Sequence, residues 1–336
     1  MITRNESYCQ DEDWKLSLKK ATTSIEVLCE RLNIRIDDLM LRHQANRSFP
    51  LRVTESYLNR IQKGTLTDPL LLQILPQAAE LIEAKGFVES PLAEESFTVL
   101  PGLIRKYKSR VLLTTTGFCP INCRYCFRRN FDYEQNQRNS NDWQPVFDYL
   151  HRHPEINEVI LSGGDPLSLT DRALAKLLGG LSDIPNINTV RFHSRIPVIL
   201  PNRITRSLLK LLSTSKMTTL MVLHINHVNE LNNEVKSYLN LLQSHGIRLF
   251  NQSVLLKGVN DSLEDQVNLL TTLFAWDIKA YYLHLLDKVK GAQHFYCSDE
   301  SAIALFDAMR AALPGYMLPK LVRETPHDIA KTPVYR

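Results

Sequence analysis

Residues 110–129 read RVLLTTTGFCPINCRYCFRR. The first nine form a β-rich run, and it leads directly into three cysteines, Cys119, Cys123 and Cys126, within eight residues. Working outward, further β-rich runs stand at 158–161, 189–193, 218–225, 248–255 and 280–286, with a weaker one at 317–322. Helical-period stretches near 143–152, 171–181, 205–212, 232–245, 263–274 and 301–313 separate them. Strand and helix at this spacing predict a parallel sheet covered by helices. The expected α/β architecture is a partial (β/α)6-type TIM-like barrel with a helical N-terminal extension. The extension spans 1–100, with helical pattern at 14–32, 51–61 and 70–84, and no strand alternation; the barrel core spans 101–315, and a C-terminal segment spans 316–336.

The remaining composition is that of an ordinary globular chain. Of 336 residues, 44% are apolar and 23% charged, which excludes wholesale disorder and fibrous classes. Forty Lys and Arg against 36 Asp and Glu give a net charge of +4, too mild to predict a nucleic-acid face or a polybasic membrane patch. No stretch reaches the ~18 apolar residues that span a bilayer, and the N-terminus lacks a signal-peptide core, so a cytoplasmic protein is expected.

In parallel α/β folds ligands gather at the carboxyl ends of strands. The cysteine loop follows the first run, Ser162-Gly163-Gly164-Asp165-Pro166 the second, and Ser194 with Arg195 the third. The fourth brings His224, Asn226 and His227, the fifth carries Asn251 and Gln252, and the sixth ends at Asp287. Six polar strand ends in succession describe one active-site mouth better than six unrelated capping residues.

Six cysteines in all, with three clustered and Cys9, Cys29 and Cys297 scattered, point to metal or redox chemistry rather than a disulfide framework. Three soft thiolates at C-x3-C-x2-C spacing suit a cubane iron–sulfur cluster whose fourth iron has no protein ligand. Zinc is the main rival, but a structural zinc site wants four ligands and no paired Cys or His stands nearby; three free thiols are the other alternative.

The cysteine spacing, with Tyr125 before the last Cys and a Gly-Gly-Asp-Pro turn after the second strand, resembles the radical S-adenosylmethionine superfamily. The resemblance implies a [4Fe-4S] cluster on Cys119, Cys123 and Cys126. S-adenosylmethionine would chelate the open iron, and its one-electron cleavage would yield an adenosyl radical. Gly163, Gly164, Asp165, His224, Asn226 and Gln252 are its implied cofactor contacts; the glycines leave backbone free for close approach.

FPLRV at 49–53, DPLLLQILP at 68–76, CRYCFRR at 123–129, SGGDPL at 162–167, SRIPVILPNRIT at 194–205, HINHVNE at 224–230, NQSVLLKGVND at 251–261 and YYLHLLD at 281–287 are similar to lysine 2,3-aminomutases. That narrower resemblance implies pyridoxal phosphate held by Lys331 as a Schiff base, with Arg110 and Lys106 near its phosphate. It implies L-lysine as substrate, with the planar fork of Arg128 on the carboxylate and Asp287 with Glu324 on the distal ammonium. Read without it, Lys331 is a solvated lysine near a frayed terminus, Arg129 a basic loop residue and Glu324 a surface acid.

The short form most resembles the aminomutases that supply (R)-β-lysine for modification of elongation factor P. It departs from longer members in three ways. Position 324 is Glu where they have Asp, no glycine run precedes Lys331, and Ser262 replaces a zinc-binding cysteine, so no structural zinc is expected. A one-electron reductant is implied, its identity unspecified, and the oligomer state is left open. The alternatives are a related enzyme acting on another amino acid, and a noncatalytic iron–sulfur or zinc module.

Overall fold

The computed structural model describes residues 13–133 and 142–334, so Cys9 lies outside the described residues. One ten-stranded sheet runs in chain order: β1 (Thr98–Leu100), β2 (Leu103–Ile104), β3 (Arg110–Thr116), β4 (Glu158–Gly163), β5 (Thr189–Ser194), β6 (Thr218–His224), β7 (Arg248–Val254), β8 (Lys279–His284), β9 (Lys320–Arg323) and β10 (Thr332–Pro333). β3 to β9 pair in parallel, whereas β1, β2 and β10 are antiparallel additions at the two edges. The barrel expectation holds, and the seven parallel strands include the weak run at 317–322.

Strand alternation separates the barrel's two faces. Leu113, Leu161, Phe192, Met221 and Leu249 lie directly opposite one another on successive strands, and all are buried in the continuous core. The opposite phase, Leu112, Ser162, His193, His224, Gln252 and His284 among it, lines an internal cavity. Covering the apolar face are helices whose starts are fixed by side-chain caps, which satisfy otherwise unpaired N–H groups. Thr170 caps Asp171–Ser182, Thr205 caps Arg206–Ser213, Asn232 caps Asn233–Ser244, Ser262 caps Leu263–Ala275 and Ser298 caps Asp299–Ala312. Ser262 thus caps a helix where longer relatives were expected to use a thiol.

The N-terminal stretch is less regular than its periodicity predicts. The run 14–32 is two helices, Asp13–Lys19 and Ile25–Leu32, because Thr22 between them exchanges backbone hydrogen bonds with Val53. The run 70–84 holds only Pro69–Leu72 and the 3-10 turn Ala78–Leu81, with Pro76 between them unable to donate a helical hydrogen bond. Leu39–Ser48 is a helix that the reading did not single out. Trp14, Ile25, Leu51, Tyr57 and Leu70 belong to the same buried cluster as the barrel strands, so this stretch is packed onto the core.

Candidate active site

The cysteine loop is held from outside by a buried ion cluster. Glu80 accepts from Nε of Arg124 at 2.9 Å and from Nη2 of Arg129 at 2.7 Å, all three side chains being almost fully buried. Arg124 N also donates to Gln73 O at 2.8 Å, and Asn122 N to Arg52 O at 3.1 Å. Arg124 and Arg129 of the CRYCFRR segment therefore point away from the thiols toward Glu80, and Arg129 is a buried anchor rather than a loose loop cation, whereas Arg128 lines the cavity. Glu80 carried no sequence signal, since only the fold brings it within reach.

Cys119, Cys123 and Cys126 all line a cavity of ≈ 330 Å³. Burial pushes the Cys119 thiol well up and the Cys126 thiol to about 11, so neither ionises readily by itself; bound metal would deprotonate both. No group of three or more His, Cys, Asp or Glu among the described residues gathers closely enough for a single metal ion. Three thiols on one loop, facing a cavity, fit the three-thiolate donor set of a cubane cluster.

The glycine turn is pinned against the cluster loop. A Cβ on Gly163, whose φ is +113°, would lie 2.5 Å from Thr116 O; one on Gly164 would lie 2.3 Å from Phe118 O. Gly164 N donates to Thr116 O at 2.6 Å, and Asp165 N to Phe118 O at 2.9 Å. Asp165 lines the cavity, yet its carboxylate accepts from Ser194 Oγ, Leu167 N, Arg195 N and Ile196 N at 2.8–3.1 Å. Its carboxyl is pushed up to about 6 by burial, which those hydrogen bonds only partly offset. Its role here is to join the turn after β4 to the turn after β5.

Asn226 does not line the cavity. Its amide nitrogen donates to Tyr125 Oη at 2.7 Å and Gln73 Oε1 at 3.0 Å, and its amide oxygen accepts from Val254 N at 2.9 Å. It forms the layer behind the wall, where its engaged polar groups are unavailable to a ligand. His224 and Gln252 do face the cavity; His224 meets Tyr125 Oη at 2.9 Å, and burial pulls its imidazole down to about 3.

At the other end of the chain, the short strand β10 decides where Lys331 goes. Thr332 pairs with Arg323 and Pro333 with Val322, and Val334 N donates to Leu321 O at 3.0 Å. Lys331 is thereby carried into the cavity, with Nζ on Glu324 Oε2 and 5.7 Å from the Tyr282 ring centroid. In the segment before Lys331, His327 takes a left-handed φ of 66° and packs against Phe97.

Lys106 Nζ reaches Glu324 Oε1 at 2.7 Å, so this acid sits between two ammonium groups. Arg128 is gripped by Glu94, at 2.8 Å from Nε and 2.6 Å from Nη2, and its Nη1 donates to Ser162 Oγ at 3.1 Å. Asp287 lines the cavity with its carboxyl pushed up to about 7 by burial, Lys331 pulling the other way. Arg110 opens β3 with its guanidinium 3.7 Å from the Tyr107 ring centroid. Tyr281 has no partner in the β7–β8 register, a bulge that lets both Tyr281 and Tyr282 face the cavity.

Several cavity groups were not assigned from sequence, namely Glu94, His193, Tyr282 and His284, and Arg195 was placed at the third strand's end without a role. Each lies on an ordinary-looking stretch, and the only signal available was strand alternation, which puts His193 and His284 on the inner face. Buried His193 Nε2 has no partner, an unsatisfied polar atom facing a space large enough for a ring-shaped cofactor. An amine at Lys331, cations at Lys106 and Arg110 and this orphaned imidazole fit pyridoxal phosphate. His224 and Gln252 beside the thiols fit a polar nucleotide.

Residues 113–270 match the model of the Radical SAM superfamily. The chain is 43% identical over 324 residues to an L-lysine 2,3-aminomutase of Escherichia coli, covering 96% of this chain and 94% of that one. It is 41% identical to one of Haemophilus influenzae, covering 96% of each, and 33% identical to one of Clostridium subterminale, covering 96% of this chain and 77% of that longer one. With its thiol loop at the end of the first parallel strand and these likenesses over nearly its full length, the chain belongs to the L-lysine 2,3-aminomutase family of the radical SAM superfamily.

Proposed function

We propose that the protein moves the α-amino group of L-lysine to C3, giving β-lysine. One observation carries this reading: a single cavity brings together the three clustered thiols, the Lys331 amine, the Arg128 guanidinium and the Asp287 and Glu324 carboxylates, whose chemistry matches that substrate and its cofactors. The cluster and S-adenosylmethionine supply, when bound, a radical that abstracts hydrogen, and pyridoxal phosphate supplies a conjugated partner for the migrating nitrogen.

The chain's own residues orient and shield. Arg128 offers a planar fork to the carboxylate, and Asp287 with Glu324 offset the desolvation of the distal ammonium. Lys331 Nζ would hold the cofactor in place of its present contact with Glu324 Oε2, leaving that oxygen able to meet the substrate's ammonium while Lys106 stays on Oε1. Burial holds His193, His224 and His284 neutral, so these imidazoles add no positive charge against the incoming ammonium. Enclosure within the barrel keeps water from the reacting carbon.

The cluster, once bound, would need a one-electron reductant before S-adenosylmethionine could supply the radical. The resemblance to the short aminomutases supports delivery of the product to elongation factor P, and hence a cytoplasmic place of work; among the described residues no helix is long and apolar enough to cross a membrane.

The test is anaerobic reconstitution with iron, sulfide, S-adenosylmethionine, pyridoxal phosphate, reductant and L-lysine, followed by chromatography for β-lysine. Lys331→Ala should form no β-lysine and lose the cofactor's bound absorbance. Full activity in that variant would remove the assignment of Lys331, and absence of β-lysine from the wild type would overturn the reading.

A further inference from the structure

Behind Cys123 stands a buried cluster of charged and polar side chains that the assignments above do not use. Arg195 follows β5, and its backbone N–H is held by Asp165 at 2.8 Å. Its Nη1 donates to Cys123 Sγ at 2.7 Å. On the far side, Nη2 donates to Gln73 Oε1 at 2.7 Å and Glu230 Oε2 at 2.8 Å, with Tyr57 Oη at 3.4 Å. Glu230 has no exposed surface, and its other oxygen accepts from Asn226 N at 2.8 Å and His227 N at 3.2 Å. Nη2 is therefore held by Gln73 and Glu230 and Nη1 by the sulfur, while the buried Nε has no partner.

A buried arginine need not touch a thiol to satisfy Glu230, since Gln73 and Tyr57 already share that edge. Hydrogen bonds to ligand sulfurs and nearby charge are the levers by which a protein sets the potential of an iron–sulfur centre. Reduction adds one negative charge to the centre, and a donor on a ligand sulfur stabilises the reduced form more than the oxidised one.

We propose that Arg195 is a positioning residue that makes the reduction potential of the centre on Cys119, Cys123 and Cys126 less negative, and that Glu230 limits this effect by drawing part of the arginine's field away from Cys123. The inference rests on the cluster assignment and goes beyond it, because it assigns two further residues to the centre's electronics.

The experiment is an anaerobic redox titration followed by paramagnetic resonance on the reconstituted full chain, with iron and sulfide counted in each sample. Glu230→Gln removes the counter-charge and should shift the potential to less negative values. The double variant Arg195→Met with Glu230→Gln removes both charges together, stranding no buried ion, and should shift it to more negative values than wild type. Shifts of opposite sign are not expected from a general loosening of the fold. Unchanged potentials, or shifts of one sign, in variants with a full iron count would overturn the inference. If the double variant takes up no iron, Glu230→Gln alone decides by the sign of its shift. A wild-type chain that takes up no cluster overturns the cluster reading instead.

Discussion

Both carboxylate oxygens of Glu94 accept from Arg128, at 2.6 Å from Nη2 and 2.8 Å from Nε, so the guanidinium facing the cavity already carries a carboxylate. An incoming substrate carboxylate must share or displace that partner. Glu94→Gln leaves Arg128 its full charge, and the expected result is a lower KM for L-lysine with kcat unchanged or reduced. A higher KM would show that Glu94 serves to aim the guanidinium rather than to compete for it.

The Asp287 carboxyl, raised to about 7 by burial, predicts two pH effects of stated sign. Its folded value lies above the unfolded one, so the folded chain holds the proton more tightly; that stability is present in acid and is lost as pH rises through about 7. Asp287→Asn should therefore melt at a higher temperature than wild type at pH 8, and the difference should narrow progressively as pH falls from about 7 toward 4. Substrate binding runs the other way, because only ionised Asp287 attracts an ammonium. Wild-type KM for L-lysine should fall as pH rises through 7, and Asp287→Asn should flatten that dependence.

Cysteine replacement separates ligands from bystanders. Cys126→Ala should abolish the visible absorption of a reconstituted cluster. Cys29→Ser and Cys297→Ser should retain it, since Cys29 lies on the helix Ile25–Leu32 and neither lines the cavity. Iron counted per chain is the check.

Two glycines should respond oppositely to alanine. On Gly164 a Cβ meets the Phe118 backbone at 2.3 Å, so Gly164→Ala should lower the melting temperature and reduce iron uptake by shifting the loop that bears Cys119. Gly179, inside the helix Asp171–Ser182, has nothing within 4 Å of an added Cβ, and Gly179→Ala should raise stability by about 1 kcal/mol. Thermal melts of the two variants decide.

The alternation of apolar runs and capped helical stretches was enough to determine the barrel, because parallel strands and their covering helices are local patterns with their own periods. The three-cysteine loop and its place after the first strand were equally legible. Glu94 and Glu80 were not, since each acts on a residue tens of positions away and carries no local mark, and Arg195 was legible as a strand-end residue but its reach to Cys123 was not. Lys331 shows the same limit from another side: its neighbours look like a loose terminus, and only the pairing of Thr332 and Pro333 with β9 carries its amine to Glu324. Sequence thus determined which elements form and where the thiols sit, whereas tertiary structure decided which charges meet, because ion pairs across a barrel depend on distances that no local period encodes.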